Sequence, residues 1–189
     1  MSQRNGSILL LAAASLVLLV SLFTRGWFHD RQQVSSVTSE YGIGLWGNGY
    51  TKTCGDPIEK RFGSHCKQDN STISFDDVSG ANNTAWLLFG RLALIFGIAS
   101  VLALLGALAL VVKRHEQAKR WWFVPVIAVG ATMFAAGMFL ALQPNTAGKV
   151  GYSVFLFFPA AVAGIFGTLM VKDAVDERQQ ADVPGLGER

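Results

Sequence analysis

Residues 27–66 read WFHDRQQVSSVTSEYGIGLWGNGYTKTCGDPIEKRFGSHC. This polar stretch holds Trp27, the triplet Gly44-Leu45-Trp46 and both cysteines of the chain, Cys54 and Cys66. It follows one long apolar run and precedes three more. Ile8 to Phe23 is the first, ILLLAAASLVLLVSLF, then come Trp86 to Val112, Trp121 to Leu142 and Gly151 to Val171. A bilayer-spanning helix needs about 20 mostly apolar residues, and each run reaches or nearly reaches that with its flanks. Buried soluble helices are usually shorter and keep a polar stripe, which these runs lack. The sequence therefore predicts an all-α membrane four-helix bundle that carries a small folded module on one face.

The first run has the alternative of a cleaved signal peptide, since Arg4 precedes it. Such a segment has a shorter apolar core and ends at a small-x-small site. Here the run ends in Phe23-Thr24-Arg25-Gly26-Trp27, so an uncleaved span is expected. Orientation follows from Lys and Arg. The connector Lys113-Arg114-His115-Glu116-Gln117-Ala118-Lys119-Arg120 is dense in positive charge and is expected in the cytoplasm, with both termini. The expected order is a cytoplasmic N-terminus with the first span (1–28), an extracytoplasmic segment (29–85) and the second span (86–112). The cytoplasmic connector (113–120), third span (121–143), short outer loop (144–150), fourth span (151–171) and flexible cytoplasmic tail (172–189) follow. The formal charge of +3 then reports orientation in a plasma or inner membrane. It is not a nucleic-acid signal, because the basic residues flank lipid and form no groove-sized patch.

Both cysteines fall in the predicted outer segment, and the outer side of a plasma or inner membrane is oxidising, so a disulfide is the default. Closing a loop of this size stabilises by about 3 kcal/mol, and the two Cα atoms are expected about 5.5–6 Å apart. A metal site using His65 or His29 is the rival, but structural zinc requires four ligands, usually in tight pairs. No Cys-x-x-Cys marks a redox-active pair.

A polar segment of this length needs structure of its own. Tyr41, Ile43 and Leu45 alternate with Gly42 and Gly44, and Ile73 and Phe75 alternate with Thr72, Ser74 and Asp76. Period-two patterns read as strands. Val34 and Val37 suggest an earlier strand, and Gly47-Asn48-Gly49 and Gly55-Asp56-Pro57 read as turns. A small antiparallel sheet with the cysteines joining neighbouring strands is the expectation. Trp27 and Trp46 are either sheet anchors or interfacial belt residues, whereas Trp86, Trp121 and Trp122 read as belt residues.

Trp27, Gly44-Leu45-Trp46, Cys54 and Cys66, in this order after a first span, resemble the signature of the claudin superfamily. That group includes claudins, calcium-channel gamma subunits, glutamate-receptor auxiliary subunits and peripheral myelin proteins. Arg91, in Leu87-Leu88-Phe89-Gly90-Arg91-Leu92-Ala93, resembles the family's arginine at the outer end of the second helix. The resemblance implies a four-helix bundle topped by a sheet, with Cys54 and Cys66 bridged. The gap from Trp46 to Cys54 is longer than in claudins, and the loop from Gln143 to Val150 is shorter. The tail lacks the hydrophobic end that claudins offer to PDZ domains.

Charge inside a span marks pumps and carriers. Here Arg91 stands near the outer end of its helix, and no acid lies in any span, so a structural role is expected for it. Small residues recur instead: Ala99, Ala103 and Ala107 in the second helix, Ala131 and Ala135 in the third. In the fourth, Ala160 pairs with Gly164 and Ala163 with Gly167. Such faces let helices approach closely, either inside the bundle or against a partner. Pro125 and Pro159 are expected to start or kink helices. Asn70 and Asn82 open glycosylation patterns. No catalytic constellation, metal site or cofactor motif appears. The expected function is non-enzymatic: contacts with lipid and with another membrane protein or a second copy. An accessory subunit, or a self-associating adhesion or barrier component of a cell junction, would act this way. The alternatives are a four-helix thiol oxidoreductase using Cys54 and Cys66, and a small channel or transporter component.

Overall fold

Four helices are long and apolar enough to cross a membrane, and they mark an integral membrane protein. Their spans are Asn5–Phe23, Thr84–Val112, Phe123–Ala141 and Tyr152–Val171, with mean hydropathies of 2.5, 2.7, 2.1 and 2.2. A computed structural model describes residues 3–34, 37–54, 66–72, 83–113, 117–144 and 148–181. In chain order the elements are α1 (Gln3–Phe23), β1 (Phe28–Val34), β2 (Val37–Ile43), β3 (Asn48–Cys54) and β4 (Cys66–Thr72). Then come α2 (Asn83–Val112), α3 (Gln117–Trp121), α4 (Phe123–Ala141), β5 (Lys149–Val150) and α5 (Tyr152–Ala181).

Large apolar side chains point outward on every span, including Leu16, Leu102, Phe134 and Phe155. Water would penalise that surface heavily, whereas lipid accepts it. Inside, α1 packs mainly on α5, and α2 mainly on α4. The buried hydroxyls are satisfied within the bundle. Ser15 donates to the Leu11 carbonyl at 2.7 Å and Thr168 to the Gly164 carbonyl at 2.8 Å. Ser100 Oγ and Thr132 Oγ1 lie 2.8 Å apart and tie α2 to α4. Interhelical bonds of this kind contribute about 0.6 kcal/mol in lipid. Pro125 sits in the first turn of α4, where a missing N–H costs little. Pro159 lies inside α5.

One end of the bundle carries a five-stranded antiparallel sheet of order β4-β3-β2-β1-β5. Val34 ends β1 and Val37 begins β2, paired across the first hairpin, so the single earlier strand read from the two valines is two strands. Three further details differ from the sequence reading. Leu45 is not a strand residue: Gly44 to Gly47 form the β2–β3 turn, closed by Gly47 N–H donating to the Gly44 carbonyl at 3.1 Å. Gly47 takes φ 80°, a conformation that favours glycine. Asn48 and Gly49, read as turn, begin β3. β3 and β4 are largely polar and lack apolar alternation, because beyond the turn their side chains are mostly exposed. The pattern at Ile73 and Phe75 and the turn at Gly55-Asp56-Pro57 lie outside the described residues, as do His65 and Asn82.

The other end differs too. The connector contains the short helix α3, and the third span starts at Phe123. α5 continues as helix to Ala181, where a flexible tail was expected. The stretch from Lys172 to Ala181 has no Gly or Pro and is rich in strong helix formers, which explains the continuation.

Candidate functional site: the junction of sheet and bundle

Trp27 forms the centre of the junction. Its side chain is 0% exposed. Its Nε1 donates to the Ser21 carbonyl at 2.8 Å, in the last turn of α1. Carbonyls there have no partner within their own helix, so the indole caps α1. Its backbone joins two other elements. Trp27 N–H donates to the Ile43 carbonyl at 3.1 Å, and Gly151 N–H donates to the Trp27 carbonyl at 2.8 Å. One residue thus ties the end of α1 to β2 and to the start of α5. The sequence left Trp27 as either anchor or belt residue, and the structure makes it a core anchor.

Around it lie Phe28, Trp86, Phe139 and Phe157. Trp27 meets Phe157 at 5.2 Å between ring centres and Phe139 at 6.1 Å. Trp86 stacks on Phe139 at 5.1 Å with only 5° between planes. Phe28 closes the cluster against Phe139 at 5.2 Å and Trp86 at 5.8 Å. Aromatic pairs contribute about 0.5–1.5 kcal/mol each beyond their buried area. Trp86 is 1% exposed, so it is a core residue and not a belt residue. Its Nε1 has no hydrogen-bond partner among the described residues, so its role is packing. Sequence reasoning missed Phe28, Phe139 and Phe157. Within apolar runs nothing distinguishes a cluster phenylalanine from a lipid-facing one.

The Gly44-Leu45-Trp46 triplet has a divided role. Leu45 is 1% exposed and Trp46 is 53% exposed. Leu45 points into the core beneath the sheet, and its carbonyl rests on α2. A Cβ at Gly90 would lie 2.6 Å from that carbonyl and 2.8 Å from the Phe139 ring. Glycine at position 90 is therefore what lets the turn sit down on the helix. Trp121 is exposed and Trp122 half-buried.

α2 is longer than a membrane needs. Its span of 29 residues measures about 43 Å at 1.5 Å per residue, against a hydrocarbon core of about 30 Å. The surplus turns at the start of α2, with Trp86 and Gly90, form the wall on which the sheet rests. Arg91 follows directly and is exposed.

At the far tip of the sheet, Cys54 pairs directly with Cys66 across β3 and β4. They form a disulfide with Cα atoms 4.2 Å apart. The separation is shorter than the 5.5–6 Å expected; the two residues stand directly opposite each other in the antiparallel register, where Cα atoms lie about 4.5–5.5 Å apart. His29, on β1, places its Nε2 3.2 Å from Glu40 Oε1 on β2. Among the described residues no group of three or more His, Cys, Asp or Glu is placed to hold a metal. Tyr41 and Tyr50 hold their phenols protonated beyond the ordinary range. Burial is the main cause for both, reinforced by Asp30 at Tyr41 and by Glu40 at Tyr50. Arg25 donates to Asn70 Oδ1, joining the α1–β1 link to the edge strand.

The small-residue faces separate into two kinds. Ala160, Gly164 and Gly167 are turned inward. A Cβ at Gly164 would lie 3.1 Å from Leu104, and one at Gly167 3.2 Å from Leu10 and Leu11. That face is internal packing of α5 on α1 and α2. Ala135 is also buried, while Ala131 and Ala163 are half-buried. Ala99 is exposed, and Ala103 and Ala107 are half-buried along a groove at the end opposite the sheet.

Compared with protein-family models and with curated proteins, the sequence matches none of them.

Proposed function

We propose that this is a claudin-like integral membrane protein that works through protein contacts, as an accessory subunit of a larger membrane complex. The sheet faces the extracytoplasmic side and both termini the cytoplasm, in a plasma or inner membrane. The observation that carries the reading is the construction of the junction. A covalently stapled sheet is rooted on the bundle by five buried aromatic side chains, so it is held as a rigid platform. Its strands of seven residues extend for about 20 Å. Polar residues cover the outer part, and Trp46 stands exposed beside the root. Such a platform presents a surface, and the order of its motif residues supports the family resemblance. The basic connector at the opposite end supports the orientation. The short link between α4 and α5 favours an accessory role over contact between cells, because its described residues add just the two-residue strand β5 to the platform.

We assign the partner face within the membrane to Ala99 on α2, because it is the exposed member of its small-residue row. Replacing Ala99 with Leu is expected to abolish co-purification of the native partner in mild detergent and to leave thermal stability unchanged. Gly164→Leu is the control and should lower stability, since that site is internal. Retention of every co-purifying protein in Ala99→Leu would refute this partner face. Quinone reduction that disappears in Cys54→Ser would replace the contact role with thiol oxidoreduction.

A further inference from the structure

At the end of the bundle away from the sheet, α2, α4 and α5 do not close on one another. They leave a groove of about 200 Å³ lined by Ala103, Gly106, Ala107, Trp122, Pro125 and Val171, among others. An apolar cavity of about 150 Å³ already accepts a benzene-sized guest. The groove exists because α2 carries small residues there: a Cβ at Gly106 would meet nothing within 4 Å. The one hydroxyl in the lining, that of Thr168, is already spent on the Gly164 carbonyl. Apart from the indole N–H groups of Trp121 and Trp122, the rest of the lining is apolar, so the wall suits an apolar guest. Most of the lining lies in the membrane-spanning parts of α2, α4 and α5, where hydrocarbon chains surround it, while Trp121 and Trp122 stand just before the third span.

Charge identifies the occupant further. Leu110 of the groove is one helical turn before Lys113, and Trp121 of the groove follows Arg120 directly. Both basic residues are exposed. The connector holds four basic residues and one acid, and the continuation of α5 from Lys172 to Ala181 adds two basic and three acidic ones. By sequence, the segments that border this end of the groove are net positive. Basic clusters of this kind beside helix ends attract anionic lipid.

We propose that this groove seats one acyl chain of an anionic phospholipid, whose headgroup is held by Lys113 and Arg120. The lipid completes the packing that Gly106 and Ala107 leave open. The inference is independent of the contact role proposed above, and it involves different residues.

The test uses full-length protein, washed free of lipid in mild detergent and titrated with phosphatidylglycerol or phosphatidylcholine of identical chains. Native mass spectrometry reads the lipid retained. One phosphatidylglycerol should bind at a concentration about tenfold lower than phosphatidylcholine, given the contribution of each basic residue near the headgroup. Gly106→Phe, whose Cβ would meet nothing within 4 Å, should remove that adduct with the melting temperature preserved. Ala103→Leu should do the same more weakly. The double change Lys113→Gln with Arg120→Gln should bring phosphatidylglycerol down to the phosphatidylcholine level, and it decides the matter if the groove variants fail to fold. Equal retention of both lipids by the unaltered protein would overturn the proposal. So would an adduct unaffected by groove filling, or a groove-dependent dimer that carries no lipid.

Discussion

The two ends of the bundle are built from opposite materials. At the sheet end, large rings fill the space between helices, and glycine occurs where backbone must pass close to backbone. Gly90 takes the Leu45 carbonyl in this way. At the other end alanine and glycine leave a groove, and the tryptophans stand at the surface, with Trp121 51% exposed. The same residue types therefore mean different things at the two ends. A ring enclosed on all sides fixes one element on another, and a row of small residues that nothing covers leaves room for a guest. The first end has the properties of a platform and the second those of an adaptable lipid-facing surface.

The contrast is sharpest for tryptophan. Trp27→Ala removes a fully buried indole and the cap on α1, so it should cost about 3–5 kcal/mol and detach the sheet. Limited proteolysis in the outer segment should then be fast while helicity is kept. Trp121→Ala should stay within about 0.5 kcal/mol, as exposed substitutions do. Similar losses at the two positions would dissolve the distinction between the ends.

Breaking the staple comes next. Cys54→Ser should lower the stability of the outer sheet by about 2–4 kcal/mol, with all four helices still inserted. The root is anchored separately by the aromatic cluster, so the loss should be confined to the tip. Hydrogen exchange should rise in β3 and β4 and remain slow at Trp27 and Phe28.

Glycine gives a sign test. Gly90→Ala drives a Cβ into the Leu45 carbonyl and should cost about 1–3 kcal/mol. Gly106→Ala meets no neighbour and should gain up to about 1 kcal/mol of helix propensity. Thermal unfolding of the two variants, compared with the parent protein, measures both.

The smallest effect concerns pH. The phenol of Tyr41 is raised above its ordinary 10.0, first by burial and then by Asp30. The folded sheet therefore keeps a proton that the unfolded chain has released. Its contribution to stability is complete below the ordinary phenol range and disappears as pH rises through the raised value. Ultraviolet titration should show a late phenolate, and Tyr41→Phe should remove this part of the alkaline loss.

How far the sequence could be read follows the same division. The spans were legible because lipid demands long uncharged runs, and nothing else in a chain this size produces four of them. The cysteine pair was legible because His29 and His65, its rival ligands, lack the tight pairing that structural zinc sites usually show. The strands β3 and β4 were not, since a sheet that projects from its root buries only its near end. Asn48 to Thr72 therefore lack the apolar alternation that betrays a strand. Trp86 was read as a belt residue because position beside a helix start is all the sequence shows. Its stacking on Phe139 depends on where α4 ends in space. The inward face of Gly164 and the open face of Gly106 are alike in sequence, and only the neighbouring helix separates them.

The central claim is that the rooted sheet presents a surface to another protein. Photo-crosslinking in native membranes tests it most directly, with a photoreactive side chain placed in turn at Trp46 and at Thr51 on β3. Both residues are exposed and stand outside the aromatic root. The account predicts one discrete protein adduct shared by both positions, lost when Trp27→Ala releases the platform. Lipid adducts alone at Trp46, with no protein captured at Thr51, would contradict it.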